Sequence, residues 1–336
     1  MPIINIAPKG SLHIGRLGVG REASLPYVPS DTLFAAIVAT LAQTKEGVGS
    51  LDLAHPPFML TSAFPRIGEA RLYPRPLLPV ECDAEKRESL GKTLTRFAWC
   101  SPRIFDALRR GHDVTAWADE KYFVQGGEVW LHPEDVPKGF QKLSKFWATD
   151  PPVARVALHR VSNAANLFHS GRVQFAPGCG LWFALTPCAP EDEARLKRAL
   201  TRLADGGLGG LRSVGMGGFD YTWQTDSLQQ PPGELGVTLS RYLPEDAVEI
   251  GKTLKAARAA YQLVVVGGWC KDDDGHPWRR KRVRFVREGS LLGWGGGSLG
   301  RVADVTPDDA GRFANGHRVL RYGMAFMLPA GSEVST

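Results

Sequence analysis

Seven of the thirteen residues from Gly206 to Gly218 are glycine, in the order Gly-Gly-Leu-Gly-Gly-Leu-Arg-Ser-Val-Gly-Met-Gly-Gly. Such a run lets the backbone enter positive φ repeatedly and lets other atoms approach the main chain where a Cβ would block them. It also carries a conformational-entropy cost that a plain turn would not need. Upstream, 191–205 reads as a helix: Leu196, Leu200 and Leu203 fall on one face, and Glu191, Asp192 and Glu193 suit its positive end. Downstream, 219–223 alternates aromatic and polar residues, as a half-buried strand does. The order is therefore helix, glycine loop, strand. Nucleotide P-loops and dinucleotide fingerprints require strand, loop, helix, and neither GxxxxGK[ST] nor GxGxxG occurs in the segment. Two readings remain: a long helix-ending turn, or a backbone shelf for a polyanion with Arg212 supplying charge and Ser213 a hydroxyl.

The rest of the composition narrows the class. A chain of 336 residues, 43% hydrophobic and 23% charged, builds ordered cores and suggests two domains. The net charge of +6 permits nucleic-acid binding but acquires meaning only where it is concentrated. The five cysteines (82, 100, 179, 188 and 270) form no CxxC pair, so neither a zinc ribbon nor a disulfide framework is expected. They read as buried thiols of a reducing cytoplasm. The eight histidines show no HExxH or HxH spacing. No metal or cofactor is expected. The N-terminus lacks signal-peptide character, and apolar runs such as 263–270 are too short to cross a bilayer.

Along the chain, the first strand is expected at 3–6, and a helix opens at Pro29-Ser30-Asp31 with Ser30 as N-cap. Strands at 58–64 and 69–73 flank a 65–68 turn. The 74–152 stretch is weakly patterned and reads as an insertion, with one helix at 102–110. Strands at 153–159 and 172–175 enclose a polar tip over 162–170, and 181–185 forms another strand. The best linker is 225–235. A second unit then carries a strand at 236–242, a weak helix at 249–259, and a hairpin of 261–270 and 278–286 around Asp273-Asp274-Gly275. A last strand is expected at 318–328, with the final eight residues frayed. The fold class is α+β: a first domain over 1–228 and a second over 235–330, each of ferredoxin-like order.

Three places carry possible chemistry. The basic run 278–287 would set Arg280, Arg282 and Arg284 on one strand face, suited to phosphates along RNA; the plain alternative is a solvated hairpin. The hairpin between the 153–159 and 172–175 strands carries His159, Arg160, Asn163, Asn166, His169 and Arg172, groups that suit a nucleic-acid backbone; spacing alone favours a plain polar loop, which the apolar pair Leu167 and Phe168 at the tip complicates. His13 with Tyr27 offers an acid and a base on paper, but a lone histidine after a strand is more often structural. No GxSxG, nucleophilic cysteine motif or two-metal carboxylate cluster is present.

Taken together, these residues resemble the RAMP superfamily of CRISPR proteins, in particular the type III-A (Csm) subunits that cap the guide at its 5′ handle. The resemblance runs almost end to end. It includes His13-Ile14-Gly15, Ser30-Asp31-Thr32-Leu33-Phe34, 72–79, His159-Arg160-Val161-Ser162-Asn163 and the glycine loop that is the superfamily's hallmark. Arg280-Lys281-Arg282-Val283-Arg284, Glu288-Gly289-Ser290 and the closing Tyr322-Gly323-Met324-Ala325-Phe326 complete the set. It implies two ferredoxin-like (RRM-like) domains with a protruding thumb-like hairpin. It further implies a non-catalytic RNA-binding subunit that holds the CRISPR RNA 5′ handle and bridges a large polymerase-like subunit to the RAMP backbone subunit. On this sequence Gly209, Gly210, Arg212, Ser213, Gly215 and Gly217 would hold handle phosphates. His159, Arg160, Asn163 and Arg172 would belong to the thumb, a role for which the 74–152 insertion competes. His13, Arg16, Arg280 and Arg282 complete the RNA-binding candidates. Leu211 stands where a polar residue would suit RNA, and Asp31 is not promoted to catalysis. The alternatives are a RAMP endoribonuclease, whose glycine loop usually lies near the C-terminus, and a protein scaffold without RNA.

Overall fold

The computed structural model describes residues 1–16, 22–44, 47–48, 51–140, 145–159, 161–226, 228, 232–272, 274–308 and 318–331. Its centre is a five-stranded antiparallel sheet in the spatial order Phe219–Thr225, Pro2–Pro8, Cys179–Ala184, Phe64–Ile67, Ala70–Arg71. Helices Ser30–Ala42 and Pro190–Gly206 cover one face, meeting Ile4, Ile6, Leu181 and Phe183 through Phe34, Ile37, Leu200 and Leu203. The opposite face of the same strands, Ile3, Trp182 and Ala184, is also buried, against aromatic residues from the insertion. This two-sided burial explains why 181–185 reads as a continuous apolar run rather than an alternating one.

The insertion is better built than its sequence pattern suggests. Four strands of two residues each, Tyr73–Pro74, Trp99–Cys100, Val129–Trp130 and Phe123–Val124, make a small sheet. Three helices accompany it, and the expected Pro102–Arg110 helix has proline in its first turn and Gly111 in left-handed conformation (φ 70°) at its end. Packed aromatic rings, Phe97 against Trp130 at 5.4 Å and Tyr73 against Phe105 at 4.4 Å, supply cohesion that strand length does not.

Several expected boundaries move. The strands around the first turn are Phe64–Ile67 and Ala70–Arg71, not 58–64 and 69–73, so the turn lies at Gly68 and Glu69. Ser30 is the first helical residue and does not cap its helix; its hydroxyl accepts the Arg241 N–H at 2.9 Å instead. The weak helix of the second unit is Ala247–Thr253, started by Asp246, whose carboxylate accepts the Glu249 N–H at 2.8 Å. The closing strand is broken into Leu320–Tyr322 and Met327–Ala330, and Pro329 and Ala330 pair in register with Gly236 and Leu235 rather than fray. The 153–159/172–175 pair extends to a ribbon of Trp147–Leu158 and Ala165–Phe175. Its register shifts between Asp150 and Val153, where Pro151 and Pro152 can donate no ladder hydrogen bonds.

The basic hairpin also differs. It is two short ribbons, Leu263–Val266 with Val283–Val286 and Trp269–Lys271 with Pro277–Arg279. Gly268 (φ 131°) and the non-strand residues Arg280–Arg282 break it, so Arg280, Arg282 and Arg284 do not form one row. Asp273 of the expected turn lies outside the described residues.

The two stretches expected as separate domains share buried contacts. Asp31, fully buried at the start of the first helix, accepts hydrogen bonds from Arg241 at 2.9 Å and from Arg321. Burial alone would raise its pKa, but the charges of Arg241, Arg321 and Arg280 hold it below the usual carboxylate value. The Tyr322 hydroxyl accepts the Leu60 N–H at 3.0 Å across the same boundary. Among the described residues, no helix is long and apolar enough to cross a membrane.

Candidate nucleic-acid interface

The glycine loop is locked by its own chain. Leu208 N–H donates to the Gly217 carbonyl at 2.9 Å, Gly210 N–H to the His13 carbonyl at 2.8 Å, and Gly217 N–H to the Ser11 carbonyl at 3.1 Å. A Cβ on Gly209 (φ 93°) would lie 2.5 Å from the His13 carbonyl oxygen, and one on Gly217 (φ 91°) 2.4 Å from the Leu208 carbonyl oxygen. Here the glycines allow close approach of the chain to itself, at positions only glycine tolerates. Gly210 and Gly217 have therefore already placed their N–H groups within the protein.

What the lock presents outward is one short turn. Arg212–Val214 forms a single 3₁₀ turn between Leu211 (φ 58°) and Gly215 (φ 82°), both left-handed. Arg212, Ser213, Val214 and Gly215 are exposed, and nothing lies within 4 Å of the Gly215 Cβ position. Leu211 thus has a backbone role: its carbonyl accepts the Val214 N–H at 3.1 Å and closes the turn.

His13 joins this loop to the ribbon. His13 is 6% exposed, and its Nδ1 lies 2.7 Å from the Gly171 carbonyl oxygen. Leu12 and Val173 exchange two backbone hydrogen bonds of 2.8 Å. Three segments far apart in sequence, 11–14, 171–173 and 207–217, therefore meet at one point. Tyr27, the paper partner of His13, is buried elsewhere and stacks edge-on to Trp99, and burial pushes its hydroxyl pKa up to about 12.

The remaining candidates are dispersed. Arg172 sits in the lower ribbon, paired with Asp150 at 2.6 Å. His159 and Asn163 (φ 54°) are at the exposed far tip, where the Asn163 N–H donates to the His159 carbonyl at 2.8 Å. At roughly 3.3 Å per residue, that tip stands about 30 Å beyond Arg172. Arg16 is exposed beside His13, and Arg160 lies outside the described residues. Arg282 is exposed, whereas Arg280 is turned inward against Gly268; burial and the neighbouring Arg321 charge bring its pKa down to about 10. Asp272, Asp274 and His276 bring possible metal-ligand atoms within 4.8 Å of one another. Both Asp272 oxygens already accept hydrogen bonds, from His276 N–H and from Trp278 Nε1–H.

The buried Asp31–Arg241–Arg321 cluster is not among the residues expected from the sequence. A signal was present: Arg241 in Leu-Ser-Arg-Tyr-Leu and Arg321 in Leu-Arg-Tyr are charges set among apolar strand residues, which demand a buried partner.

Residues 232–330 match the family of the CRISPR Csm4 C-terminal domain. The chain is 23% identical over 311 residues to a protein described as CRISPR system Cms protein Csm4, from Thermococcus onnurineus (strain NA1), covering 89% of this chain and 90% of that one. In fold it is similar to a chain of the Csm3–Csm4 subcomplex of the type III-A CRISPR-Cas interference complex, with TM-score 0.65, 16% identity and 98% and 99% of the two chains covered. It is also similar to a chain of the Csm1–Csm4 cassette in complex with cA4, with TM-score 0.55, 18% identity and 99% and 98% covered.

Proposed function

The chain belongs to the Csm4 family of RAMP subunits of type III-A CRISPR complexes, and from that premise we propose that it is a non-catalytic RNA-binding and assembly subunit. It holds the 5′ handle of the CRISPR RNA in the cytoplasm and bridges a large polymerase-like Csm1-type subunit to the Csm3-type backbone. The observation that carries this reading is the exposed Arg212–Val214 turn on a loop bolted through His13 to the base of a long ribbon. A rigid, outward turn with a guanidinium, a hydroxyl and an open glycine suits a phosphate, and the ribbon suits a thumb.

The first unit runs strand–helix–strand–strand–helix–strand, with sheet order fourth, first, third, second, which supports a ferredoxin-like assignment to residues 1–228. Residues 235–330 carry a three-stranded sheet of Leu291–Gly293, Leu235–Thr238 and Met327–Ala330 with one short helix, which lends the same assignment less support. The enclosure of His13 and Tyr27 supports a non-catalytic role over that of an endoribonuclease.

The test is binding of the purified protein to a repeat-derived 5′-handle RNA and to a scrambled RNA across a salt series, with the RNA checked for cleavage. Handle preference, affinity falling with salt and intact RNA are the expected outcome. Cleavage that disappears in His13→Ala would overturn the non-catalytic reading.

A further inference from the structure

A recess lies away from the glycine loop, in the crevice between the insertion and the second unit. Its volume is about 270 Å³, just below the ~300–1,000 Å³ typical of small-molecule sites but enough for one flat ring system. Tyr27, Phe97 and Trp99 contribute aromatic surface, with Tyr27 and Trp99 edge to face at 5.2 Å. Glu288 also lines the recess, with a side chain only 3% exposed.

The two oxygens of Glu288 are unequally served. Oε1 accepts from Ser62 Oγ at 2.6 Å and lies 3.8 Å from Arg241 Nε. Oε2 is buried and, among the described residues, receives no hydrogen bond. Leaving such an oxygen without a donor is costly, which makes it an acceptor awaiting a donor. Arg75, with its guanidinium 5.0 Å from the Phe97 ring centroid, also lines the recess, and its Nε is buried without an acceptor. Toward solvent stand the exposed Arg96 and Arg287.

This polarity selects a ligand. A cationic side chain would satisfy Glu288 but be repelled by three arginines. A simple anion would suit the arginines but not the carboxylate. A flat ring with N–H donors at one end and negative charge at the other satisfies both. We propose that this crevice binds one phosphorylated nucleotide whose base carries an exocyclic amino group, with the amino N–H donating to Glu288 Oε2 and the phosphate held by Arg96 and Arg287. If the nucleotide belongs to bound RNA, the proposal rests on the RNA-binding reading above; a free nucleotide is the other source.

The test titrates the full chain with AMP, CMP and purine riboside 5′-monophosphate, whose base has no N–H donor, by calorimetry, then with a purine-riboside octamer and the same octamer carrying one adenosine. AMP and CMP should bind about tenfold more tightly than purine riboside 5′-monophosphate, the weight of one charge-assisted hydrogen bond. Glu288→Gln should level that preference. Because Glu288 also receives Ser62, a second variant, Gln262→Trp, fills the recess from an exposed position and should abolish mononucleotide binding with the fold intact. Equal affinity for AMP and purine riboside 5′-monophosphate, or AMP binding unaffected by Gln262→Trp, overturns the proposal. Preference for the adenosine octamer assigns the nucleotide to RNA, and AMP binding without it assigns a free nucleotide. Handle binding that persists without any base preference defeats the recess alone; AMP binding without handle binding defeats the handle reading alone.

Discussion

Gly209→Ala probes the lock that holds the outward turn. The new Cβ would lie 2.5 Å from the His13 carbonyl oxygen and 2.7 Å from Ile14 Cδ1, on a backbone with φ 93°. The carbonyl cannot swing aside freely, because it already accepts the Gly210 N–H at 2.8 Å. Positive φ costs an alanine roughly 1–2 kcal/mol, and forcing an extra carbon into packed surroundings costs roughly 1–3 kcal/mol more. The variant should therefore lose about 2–5 kcal/mol. Gly215→Ala is the control: φ is 82°, but nothing lies within 4 Å, so only the conformational cost of about 1–2 kcal/mol applies. Urea unfolding followed by tryptophan fluorescence compares the two directly, provided the slopes agree. A clearly lower midpoint for Gly209→Ala is expected. Equal midpoints would refute the idea that the loop is glycine-rich because it packs on residues 11–14.

Four further outcomes are expected. Arg212→Ala, at an exposed position, should leave the unfolding midpoint unchanged, weaken handle RNA by about 1–3 kcal/mol and reduce the salt slope by about one phosphate contact; unchanged RNA affinity would remove the turn from the interface. Asp31→Ala should cost about 3–5 kcal/mol, because it leaves Arg321 buried without its carboxylate and Arg241 with only the more distant Glu288, 3.8 Å away. Asp31 is depressed in the folded chain, so its stabilisation is present above the unfolded value near 3.9 and lost as pH falls through the folded one; acid unfolding of Asp31→Asn should accordingly show a flatter acid limb than wild type. Replacing 153–169 with a tight turn should keep the unfolding midpoint, since Trp147 and Val173 at the ribbon base remain buried, while reducing assembly with a Csm3-type subunit in co-purification; full assembly would argue against the ribbon as thumb.

Local signals made the helix–loop–strand order around the glycines and the 102–110 helix legible. The insertion was not, because strands of two residues carry no alternation and its stability resides in long-range packing of Phe97, Trp99 and Trp130. Ser30 illustrates a different limit: its sequence position suits an N-cap, but Arg241, 211 residues away, takes the hydroxyl. At the candidate site, the importance of the glycines was readable, whereas their immediate neighbour was not. His13 lies under the loop only because Leu12 pairs with Val173, a contact that no local pattern encodes.

Mapping ultraviolet cross-links between the protein and a 4-thiouridine-labelled 5′-handle RNA tests the proposed interface most directly. Cross-linked peptides should contain Arg212–Val214 and the ribbon near Arg172. Efficient cross-linking confined to other surfaces, with the glycine-loop peptide unmodified, would contradict it.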